Sequence, residues 1–159
     1  MFVYSVKGKK IRNIMICFAV IIAASLIYCF LNRADPYTVV SGEHTFNIKI
    51  ENESDVKSFL EQFGRKVSDS PTEISTVRIP GVFNDTYTEY NALQLSQGFD
   101  LTKYMGQSCT KYTYSVLNYP DKDRTVNANV LVCGDKVIAA DISETAYMGS
   151  MEGLWNEGK

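Results

Sequence analysis

Histidine is almost absent from this chain of 159 residues, which contains only His44. Neither a G-x-S-x-G nor an H-E-x-x-H motif occurs, and there is no C-x-x-C pair and no glycine-rich phosphate loop. These motifs carry most nucleophilic, zinc-dependent, redox and phosphate chemistry. A single histidine at a strand edge is more typical of a solvated side chain than of a general base. We therefore predict no catalytic, cofactor-binding or metal-binding residue, and no cofactor.

Acidic residues are missing from the first 34 positions, where the basic residues Lys7, Lys9, Lys10 and Arg12 come first. From position 32 onward, 12 basic residues face all 18 acidic ones. The formal net charge of −2 is therefore +4 at the N-terminus combined with −6 in the remainder. Nucleic-acid binding requires basic charge on the folded part of a protein, so this distribution excludes a nucleic-acid partner.

Charge is also missing from residues 14–31, an apolar run in which only Ser25 and Tyr28 are polar. A helix of this length extends about 27 Å, which is close to the ~30 Å hydrocarbon thickness of a bilayer. The basic residues before it predict a cytoplasmic N-terminus and an extracellular C-terminal domain, anchored in the cell membrane by a single pass. A cleaved signal peptide is the alternative. The length of the run and the exit sequence YCFLNRADP, which has no good pair of small residues for cleavage, favour an uncleaved anchor.

The organisation that follows has five parts. We expect a cytoplasmic basic arm at residues 1–13, a transmembrane helix at 14–31, a tether at 32–43, an extracytoplasmic domain at 44–153 and a tail at 154–159.

Periodicity predicts the elements of the domain. Residues 44–50 alternate as a strand, with Phe46, Ile48 and Ile50 on one side. A helix capped by Asn52, with an apolar stripe at Val56, Phe59, Leu60 and Phe63, ends at Gly64. A strand precedes Pro80, a helix capped by Asn84, Asp85 or Thr86 ends at Gly98, and three strands follow with apolar residues at even positions (112–116, 126–132 and 138–142). This order favours an α+β fold, with two helices on one face of an antiparallel sheet.

The stretch YNALQLSQGFDLTKYMGQSCTKYTYSVLNYP, from Tyr90 to Pro120, carries a resemblance. Together with FLEQFGRKV, TVRIPGVF and VCGDKVIAADI it resembles a family of small, membrane-anchored envelope proteins of clostridia-like Gram-positive bacteria, a domain of unknown function. The runs Q-G-F-D-L-x-x-Y-x-G and Y-T-Y-x-V-x-N-Y are its motifs. This chain departs from the family's pattern at Arg65, where an aromatic residue is common, and at Cys109 and Cys133. The resemblance implies the topology and the fold, and it implies no activity or catalytic residue.

Cys109 and Cys133 occupy odd positions of neighbouring predicted strands, so we expect both on the same, non-core face. Pairing Tyr112 with Val130 places the two cysteines directly opposite each other. A cross-strand disulfide then fits the geometry and an oxidising exterior. A register slip of two residues would make the cysteines diagonal and prevent the bond.

Tyrosine is abundant in the exported part, and a tyrosine surface can bind peptide or glycan. We expect Tyr112 and Tyr114 in the strand core, with Tyr87 and Tyr90 packed on them. Tyr104 and Tyr119, in predicted loops, are the candidates for a partner-binding surface.

The functional reading is a non-catalytic interaction or sensing module of the cell envelope, whose partner is another envelope protein, a peptide or a glycan. The alternative is a small envelope hydrolase that uses paired carboxylates, since any two of the 18 acidic residues could meet in a cleft. Regulation of a cytoplasmic partner through the short basic arm is a weaker third reading.

Overall fold

The computed structural model describes residues 8–31, 35–146 and 149–155, which belong to two separately compact units that divide between residues 35 and 36. The first unit is helix α1, Gly8–Leu31. Its segment Arg12–Leu31 has a mean hydropathy of 2.8, and its side chains are exposed. By length and composition this helix can cross a membrane, as the uncharged run predicts. Residues 1–7 of the expected basic arm lie outside the described residues.

The second unit combines two antiparallel sheets with two α-helices and a short 3₁₀ helix. A two-stranded sheet pairs β1 (Thr38–Ser41) with β2 (His44–Asn47). A five-stranded sheet has the order β3-β4-β5-β6-β7, with strands Glu73–Arg78, Ser108–Ser115, Val126–Cys133, Lys136–Glu144 and Met151–Glu152. The helices are α2 (Glu53–Glu61), α3 (Asp85–Ser96) and the 3₁₀ helix Leu101–Tyr104. The predicted α+β class and the antiparallel meander of the last three long strands are confirmed.

Helix α2 has the cap and the apolar face that its sequence predicts. The Asn52 side chain accepts a hydrogen bond from the Ser54 backbone N–H at 3.0 Å, and the Asp55 carboxylate accepts one from the Asn52 N–H at 3.0 Å. This reciprocal capping box satisfies donors that the first turn would otherwise leave unpaired. Val56, Phe59 and Leu60 are buried, and the chain leaves through Gly64 at a φ of +69°, the left-handed region that glycine adopts without strain.

Helix α3 begins at its predicted cap, Asn84, but it buries polar residues. The predicted stripe of Tyr87, Tyr90 and Leu93 is only half-buried, whereas Asn91, Gln94 and the following Gln97 are buried. Gln94 Oε1 accepts a hydrogen bond from Ala140 N at 2.9 Å, and Gln97 Nε2 donates one to Ala140 O at 3.0 Å. Strand β7 pairs with β6 at Ile142 and Ser143, so these glutamines satisfy backbone groups of β6 beyond the described β7.

The two faces of the sheet carry separate apolar clusters. The first cluster includes Phe59 of α2 together with the even positions of β4 and β5, as predicted. The second cluster, on the odd face, consists of Ile79, Leu101, Cys109, Leu131, Ile138 and Ala139, with Phe83, Tyr90, Tyr104 and Cys133 packed against it. Because α2 contributes to the first cluster and Tyr90 of α3 to the second, the two helices do not share one face. The central strand β5 is accordingly buried on both of its faces.

A register shift between Leu131 and Val132 explains one wrong placement. Leu131 pairs with Ala139 and Val132 with Val137, which leaves Ile138 as an extra residue in β6. A bulge of this kind reverses the alternation beyond it. Ile138 therefore lies in the second cluster, and the prediction that it shares a face with Ala140 and Ile142 is wrong.

The folded unit reaches further toward both ends than the expected boundaries at residues 44 and 153. The expected tether contains β1, and Ile48 N donates to Tyr37 O at 2.8 Å. The expected tail begins with Leu154, which is 0% exposed, and Trp155 stacks on Phe63 at 5.1 Å. Residues 32–34 and 156–159 lie outside the described part of the chain.

Candidate functional site

A cavity of about 680 Å³ lies between α3 and the odd face of the five-stranded sheet. This volume is in the range of small-molecule sites, about 300–1,000 Å³. The sheet contributes Val77, Lys111, Asn129, Leu131, Asp141, Ser143 and Met151, and the helix contributes Thr86, Tyr87, Glu89, Tyr90 and Leu93. Apolar atoms supply most of the accessible lining, although eight of these twelve residues carry a polar side-chain group.

Polar side chains form a row across the three central strands. Thr113 of β4 lies opposite Asn129 of β5, and Asn129 lies opposite Asp141 of β6. Thr113 Oγ1 donates to Asn129 Oδ1 at 3.1 Å, and Asn129 Nδ2 donates to Asp141 Oδ2 at 2.8 Å and to Ser143 Oγ at 2.8 Å. Buried polar groups need such partners, because an unpaired one costs about 1–3 kcal/mol. The row is therefore a connected network.

Asp141 is the buried charge of this network, with 2% of its surface exposed. Its second oxygen, Oδ1, accepts a hydrogen bond from the Tyr90 hydroxyl at 2.9 Å. Burial raises the pKa of Asp141 above its ordinary value, while the hydrogen bonds from Asn129 and Tyr90 and the charge of Lys111 oppose that rise. The pKa of Tyr90 is raised well above its usual value by burial and by the neighbouring carboxylate. Tyr90 therefore stays protonated and remains a donor to Asp141.

No site residue that the sequence suggested is among the described residues that line the cavity. Thr113, Asn129 and Asp141 occupy odd strand positions, which the alternation pattern assigns to solvent. One signal was present. The register that pairs Tyr112 with Val130 also pairs Thr113 with Asn129, so facing polar residues in adjacent strands could have indicated a network.

Cys109 and Cys133 have the predicted register and an unexpected environment. The observed pairs Thr110–Val132 and Lys111–Leu131 follow the predicted register, and the next pair in it is Cys109–Cys133. However, Cys109 is only 3% exposed and belongs to the second cluster, so the prediction of a non-core face is wrong. That face is covered because the 3₁₀ helix residues Leu101 and Tyr104 pack there.

The two cysteines are free thiols close to each other. Burial raises the pKa of the Cys109 thiol to about 12, and the hydrogen bond and charge of Cys133 act in the same direction. Cys133 is half-buried, and its Sγ lies 3.3 Å from Gln107 Oε1. The disulfide itself stays a prediction.

The two candidate surface tyrosines are not brought together. Tyr104 is half-buried against the second cluster, whereas Tyr119 packs against the first, and its hydroxyl donates to Glu152 Oε1 at 3.2 Å. They lie on different faces, so they cannot form one continuous surface, and partner binding at either stays a prediction.

The four tyrosines that were predicted to pack in the core divide between the faces. Tyr114 is buried in the first cluster, and Tyr112 packs against it, as expected. Tyr87 and Tyr90 line the cavity on the opposite face, so the prediction that they pack on Tyr112 and Tyr114 is wrong. The helix that carries them covers the odd face, and their rings are available to a ligand.

Metal binding has no candidate in the described ranges, where no group of three histidine, cysteine, aspartate or glutamate side chains is placed to hold an ion. His44 is exposed, and its ring lies 5.3 Å from that of Trp155.

Comparison with known proteins identifies a family and no activity. A sequence model of the family described as Domain of unknown function (DUF4830) matches residues 59–142, more than half of the chain. No curated protein and no solved structure matches. The matched stretch extends from α2 to β6 and so contains α3 and the polar row of the cavity. The chain therefore belongs to the DUF4830 family of domains of unknown function.

Proposed function

We propose that this protein is a single-pass membrane protein whose folded unit is an extracytoplasmic binding module of the bacterial cell envelope. The observation that carries the binding role is the open cavity above the buried Asp141 network. The anchor is supported by the apolar segment Arg12–Leu31, and the orientation by the four basic residues that the sequence places at its N-terminal end. The bacterial envelope setting rests on the resemblance of the Tyr90–Pro120 stretch.

The topology can be tested with one epitope tag after Lys159 and, in a second version, the same tag before Met1. Both versions of the full chain are produced in bacterial cells, whose walls are removed before protease is added to the intact protoplasts. We expect the C-terminal tag to be digested and the N-terminal tag to be protected until the membrane is lysed. Protection of the C-terminal tag would contradict the proposed orientation, and its release into the medium without protease would indicate a cleaved anchor.

The binding role can be tested by photo-crosslinking in the native membrane. Thr86 lines the cavity and is exposed, so a benzoylphenylalanine at this position reaches an occupant. Leu117 is 69% exposed and does not line the cavity, which makes it the matched control position. We expect a defined adduct with a peptide, glycan or envelope protein from position 86 and none from position 117. Equal labelling from both positions, or none from position 86, would contradict a binding role for the cavity.

The hydrolase reading now has a specific pair of carboxylates, because Asp141 and Glu89 both line the cavity. We favour binding, since Tyr90 and Asn129 both donate to Asp141 and hold its carboxylate as an acceptor, whereas a general acid must donate a proton to the scissile bond. Hydrolysis of an envelope peptide or glycan by the purified chain, abolished by Glu89→Gln, would favour the enzyme instead.

A further inference from the structure

Two opposite charges line the cavity without forming an ion pair. Among the described residues, the ion pairs within 4.0 Å include neither Asp141 nor Lys111. The Lys111 charge nevertheless acts on Asp141 through space, lowering the pKa of the carboxyl. The ammonium and the carboxylate are therefore close enough to interact and too far apart for direct contact.

Asp141 retains acceptor capacity that its neighbours do not use. A carboxylate offers about four lone-pair positions, whereas Tyr90 and Asn129 supply one hydrogen bond to each oxygen. Both donors are neutral, so they fix the orientation of the carboxylate without neutralising its charge. A buried charge without a counter-ion is costly, and a ligand cation that reaches it would be favoured.

A ligand that carries only one charge fits this cavity poorly. A simple cation would pair with Asp141 and be repelled by Lys111, and a simple anion would meet the reverse arrangement. A zwitterion places its ammonium at one residue and its carboxylate at the other, which uses both charges.

The walls indicate what joins the two charged groups. The rings of Tyr87 and Tyr90, together with Leu93, Leu131 and Met151, present apolar surface to the cavity. Aromatic rings add a favourable contact to an ammonium within about 6 Å, and the aliphatic residues accommodate apolar side chains. The volume of about 680 Å³ has room for more than one amino-acid residue.

We propose that this cavity binds a small zwitterion of the amino-acid and short-peptide class, with its ammonium at Asp141 and its carboxylate at Lys111. The assignment rests on the proposed binding role and specifies its ligand. Apolar side chains of the ligand lie against Tyr87 and Leu93. The exposed Glu89 adds a second negative charge to the cavity lining.

The test is calorimetric titration of the full chain in detergent with four probes of related shape: leucine, leucyl-leucine, N-acetyl-leucyl-leucine and leucyl-leucine amide. We expect leucyl-leucine to bind, and N-acetylation and amidation each to weaken binding at least about tenfold, since each removes one charge-assisted hydrogen bond. Comparing the affinities of leucine and leucyl-leucine shows whether the preferred zwitterion is a free amino acid or a peptide.

Two variants assign each end of the ligand. Lys111→Gln should weaken leucyl-leucine about tenfold and should not weaken the amide, which has no carboxylate to pair with Lys111 and is repelled by its charge. Asp141→Asn should weaken leucyl-leucine and should not weaken the N-acetyl probe, which has no ammonium to pair with Asp141. If Asp141→Asn does not fold, Lys111→Gln and the four probes on the unaltered chain still decide, since Lys111 is only half-buried and outside the hydrogen-bonded network.

Equal affinity for all four probes, or no heat with any of them at 10 mM, about the weak limit of such a measurement, would overturn the zwitterion. The binding role fails separately, because it is judged by the crosslink from position 86 in the native membrane. A crosslink to a glycan or a large protein without leucyl-leucine binding would retain the module and refute this ligand class.

Discussion

The two faces of the five-stranded sheet are each covered by a helix, but the side chains that pack on them differ in chemistry. The face under α2 is filled with aliphatic and aromatic side chains, including the rings of Phe46, Phe59 and Phe99. The face under α3 combines a smaller apolar cluster with a hydrogen-bonded polar row and a cavity. Apolar packing supplies most of the stability of a fold, and buried polar networks supply less because their desolvation offsets the gain. The first face is therefore expected to contribute more to the stability of the domain than the second.

The largest expected effect separates the faces by stability. Phe59→Ala removes a buried ring from the face under α2 and should lower the free energy of unfolding by about 3–5 kcal/mol. The measurement is urea denaturation of the full chain, followed by Trp155 fluorescence. Leu95→Ala, on the exposed side of α3, is the control and should change stability by less than about 0.5 kcal/mol. Similar losses of stability in both variants would contradict the expected contribution of the face under α2.

Oxidation of Cys109 and Cys133 tests the face under α3. The Val116 N–H donates to Val126 O at 3.0 Å, so even positions of this ladder are hydrogen-bonded pairs and 109–133 is a non-hydrogen-bonded pair. Such pairs have Cα atoms about 4.5 Å apart, which a disulfide can bridge. With oxidised glutathione, the half-buried Cys133 attacks first and Cys109 then displaces glutathione, which gives one protein disulfide and two reduced glutathiones.

The expected gain from closing this 25-residue loop is about 3 kcal/mol. Peptide mapping by mass spectrometry should show the linked pair, and the urea midpoint should rise. Cys133→Ser is the control and should lose both changes. Equal thiol counts before and after oxidation would contradict the bond.

Glutamine side chains offer a matched test of buried against exposed polar contacts. Gln97 connects Ala140 O and Leu154 N in the interior, and Gln62 makes the same two kinds of bond to Asn47 at the surface. Gln97→Ala should cost about 2–3 kcal/mol in urea denaturation, because buried backbone groups lose their partners. Gln62→Ala should cost less than about 1 kcal/mol, because water replaces the side chain. Equal losses of stability in the two variants would mean that water reaches the edge of β6 and replaces the Gln97 side chain.

The smallest expected effect is the pH dependence that Asp141 contributes. Its folded-state pKa is raised by burial, so the folded protein binds this proton more tightly than the unfolded chain does. Stability from this group is present below the unfolded pKa and is lost as pH rises through the folded value, by at most about 1.4 kcal/mol per pH unit. Urea midpoints from pH 4 to 8 should show the unaltered chain losing stability relative to Asp141→Asn. A constant difference would contradict the shift.

The parts of the fold that follow from local pattern were predictable. Asn52, Asp55 and Gly64 define α2 by capping chemistry, and the even positions of β4 and β5 predict the side chains that face the first cluster. The bulge beside Leu131 was not predictable, because the alternation of Ile138 with Ala140 is the same with or without it. The burial of Asn91, Gln94 and Gln97 depends on the edge that β7 leaves open, which is a tertiary fact. The cavity was not predictable for a related reason. Polar residues in a strand ordinarily indicate a face that is in contact with solvent.

The end of the described chain has a consequence for local unfolding. Arg65 donates two hydrogen bonds to Leu154 O, at 3.0 and 2.8 Å, and the Trp155 ring lies 5.4 Å from Phe46 of β2. These contacts join the first and last described segments of the folded unit through one aromatic cluster. Fraying of the described C-terminal segment would therefore uncover Phe46 and Phe63 as well as Trp155.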